Sequence, residues 1–586
     1  MRERDDRFPH VKHEADLCVV GGGMTGLCAA LSAARRGARV VLVHDRPVLG
    51  GNASSECRVH ICGADRSGAI PYLRETGILE ELRLENLRRN PNREYAIWDL
   101  VLYDKVHSQP NLTLLLNCSC LDAHLSGDAI ESVTGWQLTT QTYHTVAANI
   151  FADCSGDAML APLIGHPFRM GREARHEYGE SIAPEAADER TMGMTCLFQA
   201  REHDAPQPFA PPSWAHRYHS PEELPYGGRD LGWWRQGYWW IELGGEANTI
   251  HDTEAIRAEL LRITLGVWDH IKNRGDYGAD NWALEWIQFL PAKRESRRYL
   301  GAHVLNQNDI ESEGRFPDLV AYGGWTLDDH HPAGFGAVKL GAPATVFHPA
   351  PSPYGIPYRS LYSENTPNLM FAGRCHSATH AALSSTRVMG TCCSMGQALG
   401  TAAAMATARG ALPADMLNHM TDLQQALLAD DCYLPWVTQE MPGLTAESVL
   451  SASHGDPEPV RDGINRPVGS DRHAWPCSPG DWIAYDFRGP RRVESVTIVG
   501  DSALDKNITL TLHHHSDAGA GVPGVVPRTF RIEGLRGNQW ELLARVDGNH
   551  QRFVRRPVGR DLDGLRLVIE ELWGSGPSCL YAFYVS

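Results

Sequence analysis

The chain has 586 residues, more than one compact domain usually holds, so two or three domains with cores of their own are expected. With 54 Lys and Arg against 71 Asp and Glu, its formal net charge of -17 argues against nucleic acid or an anionic membrane as the main partner. The opening stretch, Met1 to Asp16, is charged and lacks the apolar core of an export signal, which points to the cytoplasm.

DLCVV (Asp16 to Val20) predicts a short buried strand, GGGMTG (Gly21 to Gly26) a turn, LCAALSAARRG an Ala-rich helix and ARVVLV a second strand. Such a βαβ unit gives three glycines distinct work. Gly21 makes the tight turn, Gly23 lets backbone approach a pyrophosphate and Gly26 packs helix on strand, while Met24 and Thr25 open the helix whose N-terminus meets phosphate. A carboxylate is then expected at the end of the second strand. Counting forward from Gly21 reaches His44; counting back from LGG reaches Asp45. An ionised acceptor bonds a ribose hydroxyl more strongly, which favours Asp45 with His44 as its rival. Arg46 follows, placed for a 2′-phosphate or a pyrophosphate. LGGNASSE (Leu49 to Glu56) adds a second Gly-rich loop in which Gly50, Gly51, Asn52 and Ser54 can cradle phosphate.

Further along, ANIFADCSGDAMLA (Ala148 to Ala161) is a strand entering a Gly turn, with Asp153 before it, Gly156 in it and Asp157 after it. From about Leu160 to Ser360 the texture turns aromatic and polar. GWWRQGYWWIELGG, the amphipathic helix TEAIRAELLRITLGVWDHI and PAKRESRRYLG mark a separate unit, in which Trp233, Trp234, Trp239 and Trp240 are core or line a site that stacks on sugar rings. His330 and His331 beside Asp328 are polar site groups or satisfied structural histidines. NLMFAGRCHSATHAALSSTRVMGTCCSMGQALG (Asn368 to Gly400) reads as strand, Gly373-Arg374 turn, loop and helix. Its last part belongs to an uncharged run, Val388 to Ala408, rich in small residues and better read as a buried helix than as a membrane span. From about Leu444 the chain becomes short strands and turns, among them HAWPC, DWIAYDF, RVESVTIVG, NITLTLHHH and LYAFYVS. The fourteen cysteines form no CxxC and no zinc spacing, and no metal is expected; His513 to His515 read as a strand and its turn.

On these residues the chain resembles the FAD-dependent oxidoreductases of the two-dinucleotide-binding type, and more narrowly a bacterial family distantly related to the fumarate reductase and tricarballylate dehydrogenase group. The end of the chain resembles a discoidin-type, galactose-binding-like β-sandwich. The resemblance implies an α/β fold: a Rossmann-type FAD-binding domain (1–165 and 361–440), an inserted α+β substrate domain (166–360) and a C-terminal β-sandwich (441–586). It implies that the Gly21 turn and the loop through Ser54 hold the ADP half of FAD, that Asp153, Gly156 and Asp157 flank the cofactor, and that the segment with Gly373, Arg374 and Gly390 closes over the flavin. The N-terminus of the final helix then faces the pyrimidine end of the ring, where oriented N–H groups stabilise negative charge.

A flavin accepts hydride, so the protein must supply a base and a charge stabiliser. His380 is the expected base with His60 as alternative, Arg387 the expected anion stabiliser, and His376 a further candidate. Three readings stay open: oxidation of a carbohydrate or glycoside hydroxyl by hydride transfer to flavin N5, dehydrogenation or reduction of a C–C bond in a small carboxylate, and a carbohydrate-binding protein whose flavin domain is scaffold. A small molecule or oligosaccharide is the expected partner; the electron acceptor and any homo-oligomer stay open.

Overall fold

The structure is a computed structural model and describes residues 7–228, 231–232, 234–235, 237–511 and 521–586, so Trp233 and His513 to His515 lie outside the described residues. The central sheet is organised around β1 (His10–Val20), whose exposed first half gives way to the buried run Leu17 to Val20. Next come α1 (Met24–Arg35), β2 (Val40–Val43), α2 (Ile78–Arg89), α3 (Tyr95–His107), β3 (Leu112–Leu115), β4 (Cys118–Ser126), β5 (Ala129–Gln137) and β6 (Thr142–Asp153). They lie in the order β3-β2-β1-β6-β5-β4. Strands β3, β2, β1 and β6 are parallel, and β5 and β4 continue the sheet antiparallel. The C-terminal ends of β1, β2 and β6 therefore share one edge, where ligands bind in open α/β sheets.

The inserted part has its own core. Helix α4 (Thr253–Asn273) packs Ile263, Val267 and Trp268 onto Phe198, Tyr238 and Trp240. Trp240 is fully buried and stacks on Tyr238, so it is a core residue. Trp234 lies edge-on to Trp282, and Trp239 edge-on to His330 with centroids 5.6 Å apart. His330 ends β7 (Leu327–His330), which pairs with the strand Thr345–His348.

The chain then returns to the first sheet. β8 (Leu369–Phe371) lies parallel to the end of β6, and α5 (His380–Thr386) leads to α6 (Met389–Arg409). The small residues of α6 serve close packing: a side chain at Gly396 would strike the Thr25 carbonyl and one at Gly400 the Ala29 carbonyl, so α6 lies backbone to backbone on α1. Among the described residues no helix is long and apolar enough to cross a membrane.

The C-terminal part is a sandwich built on two long bulged strands, β9 (Trp482–Gly500) and β10 (Phe553–Leu572), which pair antiparallel along their length. The far half of β9 also pairs with Ser578–Val585 and its near half with Val449–Ala452, so its two halves take different neighbours. The expected NITLTL strand is a correction: Asn507–Thr511 joins no ladder. It docks on the first domain instead, with Ile508 beside Leu84 and Leu87, and the Thr509 hydroxyl donating to the Ile61 carbonyl. Buried ions fix the junction. Arg552 meets Asp431 at 2.8 Å; Arg74 pairs with Glu80 and donates to the carbonyls of Ser502 and Ala503; Arg466 donates to the carbonyls of Tyr72 and Arg74.

Candidate functional site

At the edge of the sheet the first Gly turn is shaped by what a side chain would hit. Gly21 has φ +103°, and a Cβ there would meet the Cys154 carbonyl at 2.5 Å; one at Gly26 would strike the Gly21 carbonyl. Gly23 differs, since the nearest atom to its missing Cβ is the Gly51 Cα at 4.0 Å, so its face is open toward the second loop. Helix α1 starts there with no side-chain cap, and Met24 and Thr25 turn their side chains into the core. The first amides of α1 are thus orphan donors, the kind of group that meets phosphate at a helix N-terminus.

His44 is buried and consumed by backbone. Its Nδ1 accepts from the Gly22 amide and its Nε2 donates to the Val48 carbonyl, both at 2.9 Å, and burial lowers its pKa. It braces one Gly loop against the other, which leaves no ring nitrogen for a ribose and corrects its reading as a ribose ligand. Asp45, half exposed at 55%, is the accessible carboxylate at the end of β2, with Arg46 3.5 Å away. Gly50 donates to the Gly22 carbonyl, the Ser54 hydroxyl to the Gly51 carbonyl, and Asn52 to the Lys293 carbonyl, tying the loop to the inserted domain.

Asp153 is fully buried. Its carboxylate accepts from the Ser155 amide and hydroxyl, the Leu160 amide and the Tyr299 hydroxyl, so it builds the second turn. Asp157 bonds Lys293 at 2.8 Å and the Ser296 hydroxyl at 2.7 Å, with Arg374 3.5 Å away. Burial pushes its carboxyl up, but Lys293 and Arg374 outweigh this and hold it below the usual range. Gly156, φ +79°, gives room to the Arg374 guanidinium, whose buried Nη1 has no partner among the described residues. Gly373, φ +84°, lies against Thr25.

The closing segment separates the histidines. His376 is fully buried, bonded to the Gly373 carbonyl at 2.7 Å and the Thr386 hydroxyl at 3.2 Å, and burial pushes its pKa down to about 4. It clamps the loop and is removed from the candidates for chemistry. His380 lies between Glu295 (Nδ1, 2.8 Å) and Asp329 (Nε2, 3.2 Å). Burial alone lowers its pKa, but the two carboxylates win and raise it to about 10. A histidine held protonated cannot take a proton, so the expected base is instead a fixed cation. His60 lies part-buried on the loop after Arg58, which stacks on Trp286 at 4.3 Å and bonds Gln199.

Around His380 a buried ionic network joins both domains. Arg298 binds Glu173 at 2.6 Å and also Glu295; Arg294 meets Glu242 at 3.4 Å; Arg387 meets Asp328 at 3.0 Å. His330 spans Glu242 at 2.5 Å and Asp328 at 3.2 Å, while His331 accepts from the Ala333 amide in its own turn. Arg387 keeps a buried Nε without a partner, and Asp329, 27% exposed, is the network's most accessible carboxylate. The sequence reading missed Glu242, Asp329, Lys293 and Glu173. The clusters KRESRR and LDDHH were visible, but nothing in them tells which charge on one segment faces which on another. Among the described residues no group of three or more His, Cys, Asp or Glu is placed to hold a metal ion.

Open glycine faces, an uncapped α1, an unpartnered Arg374 nitrogen and the start of α6, again without a side-chain cap and with the buried Thr391 hydroxyl unpartnered, fit an extended dinucleotide. The chain is also similar in part to known proteins. The alpha subunit of sarcosine oxidase from Corynebacterium sp. (strain U-96) is 40% identical over 68 residues, 12% of this chain and only 7% of that protein's length. Among solved structures, p-nitrophenol 4-monooxygenase PnpA from Pseudomonas putida DLL-E4 is 13% identical over 71% of this chain and 85% of its own, with a TM-score of 0.32. The family 32 carbohydrate-binding module of Streptococcus pneumoniae EndoD is 11% identical over 24% of this chain and 97% of its own, with a TM-score of 0.19. A family model described as FAD dependent oxidoreductase matches residues 16–427, through both Gly turns, the inserted part and α6, and the chain therefore belongs to that family of FAD-using enzymes.

Proposed function

We propose that this enzyme oxidises a hydroxyl of a neutral, carbohydrate-like substrate, for which FAD would supply the hydride acceptor at N5. The observation that carries the reading is the state of the arginines. Arg294, Arg298 and Arg387 each face a protein carboxylate, so their charges are already balanced and none is a full counter-ion for a carboxylate substrate, while the Arg387 Nε–H keeps one donor to spare. Dehydrogenation of a small carboxylate needs such a counter-ion, whereas a hydroxyl needs neutral donors and acceptors.

Bound FAD supplies the hydride acceptor. Gly21, Gly23, Gly26, Asp45, Arg46 and the loop through Ser54 hold its ADP half, with Asp157, Lys293 and Arg374 beyond them and Gly373 and Gly390 on the closing segment. Asp329 accepts the hydroxyl proton as the C–H bond breaks and passes it to solvent through its exposed edge. The His380 cation beside it and the Arg387 Nε–H stabilise the negative charge that grows on the substrate oxygen. The Trp239 indole walls the His330 side and supplies an apolar surface for the substrate's C–H face.

In this reading 1–165 and 361–440 hold FAD, 166–360 covers the substrate and 441–586 braces the enzyme. Fourteen free thiols support a reducing cytoplasm as its compartment. Anaerobic mixing with a panel of glycosides and small carboxylic acids tests the proposal: bleaching of the flavin absorbance by a neutral glycoside is expected, and bleaching by carboxylic acids alone would overturn it.

A further inference from the structure

Glu75 precedes α2 and takes no part in the chemistry above. It is fully buried, and one carboxylate oxygen accepts from the Ala64 amide at 2.7 Å. The other, Oε2, is buried without a partner among the described residues, an expensive state for a carboxyl unless something is gained there. Its surroundings say where it points. A Cβ on Gly390 would lie 2.6 Å from Oε2, and one on Gly63 would strike the same carboxyl. The Gly390 amide in turn donates to the Cys62 carbonyl at 2.8 Å. Glu75 is therefore wedged behind the junction of the 62–64 loop with the first turn of α6, at positions where glycine alone leaves room. The sandwich holds the wedge from outside, since Tyr72 donates to Leu504 and Arg466 to the Tyr72 and Arg74 carbonyls.

We propose that Glu75 is a positioning residue that sets the reduction potential of the bound FAD by placing its carboxyl against the N-terminal turn of α6. The proposal rests on the FAD site of the proposed function and on the placement of that helix end at the pyrimidine edge of the flavin, which the family resemblance implies. An α-helix N-terminus carries about half a positive charge, which favours the reduced, more negative cofactor; a carboxylate behind it offsets that charge. The groups that face Glu75 are Arg83 on α2, Asp65 on its own loop, Tyr322 and Tyr354 from the inserted part and Cys393 on α6. Burial outweighs Arg83 and pushes the Glu75 carboxyl up to about 7, so its charge is set near neutral pH.

The test compares the FAD-loaded parent, Glu75→Gln and Glu75→Met by spectroelectrochemical titration at pH 6 and pH 8. At pH 8 both variants are expected to favour reduction at least tenfold, ~30 mV more positive for a two-electron couple. At pH 6, where the parent carboxyl is mostly protonated, the gap is expected to shrink. In the parent itself, the reduced-minus-oxidised infrared spectrum is expected to show a buried carboxyl C=O band that responds to reduction. Unchanged potentials with FAD retained, or, where neither variant folds, the lack of that band in the parent, overturn the role of Glu75 alone. A parent that takes up no FAD overturns the site placement beneath it.

Discussion

The two ends of the groove proposed to hold FAD are built by opposite means. At the ADP end the working parts are glycines and backbone amides, and the polar side chains nearby mostly serve the backbone: His44 ties Gly22 to Val48, and Asp153 gathers Ser155, Leu160 and Tyr299. At the other end backbone recedes and charged side chains meet each other, with His380 between Glu295 and Asp329, and His330 between Glu242 and Asp328. Recognition of a constant group needs only a fixed shape, which backbone supplies with little conformational entropy to lose. Chemistry on a varying group needs charge set by neighbours, which only long-range packing supplies.

The largest effect expected is at the ADP end. Gly26→Val drives a side chain into the Gly21 carbonyl and the Cys154 Cβ, 3.1 Å from the first added carbon. The variant is expected to purify colourless, read by absorbance after incubation with FAD; a fully yellow variant would break the view that close packing there is indispensable. At the other end Asp329→Asn is expected to keep its colour and lose about 10²- to 10³-fold in kcat/KM, the usual worth of a positioned proton acceptor. Loss of flavin together with activity would show that the two ends are not separable.

The same contrast explains what could be read in advance. The βαβ unit, its glycines and the uncharged helix were legible because each signal is local: a strand, a turn and a helix within a few tens of residues, or small residues at the spacing that lets α6 touch α1. The role of His380 was not legible, since its partners stand 85 and 51 residues away and together reverse the effect of burial. Nor was the fate of Asn507–Thr511, whose apolar alternation suits a strand but is spent on docking against Ile61, Leu84 and Leu87.

A pH series sharpens the comparison further. His380 has a folded pKa raised from 6.5 to about 10, so its contribution to stability is complete below pH 6.5 and is lost as pH rises through 10. Thermal melts of the parent and His380→Gln should therefore differ most at pH 6 and converge toward pH 10. A gap that widens with rising pH would mean the imidazole is neutral, and the base reading would return.

The smallest expected effect separates neighbours at the ADP end. Asp45 is exposed enough to meet a ribose, while both nitrogens of His44 are spent on backbone. Asp45→Asn keeps the shape and removes the charge, so FAD should bind about tenfold more weakly, or ~1.4 kcal/mol, with an unchanged melting temperature without FAD. His44→Gln acts through the loops and should lower that melting temperature along with the affinity. If instead Asp45→Asn binds FAD as the parent does, the charged side chain at the end of β2 is not a ribose ligand, and recognition there belongs to backbone alone.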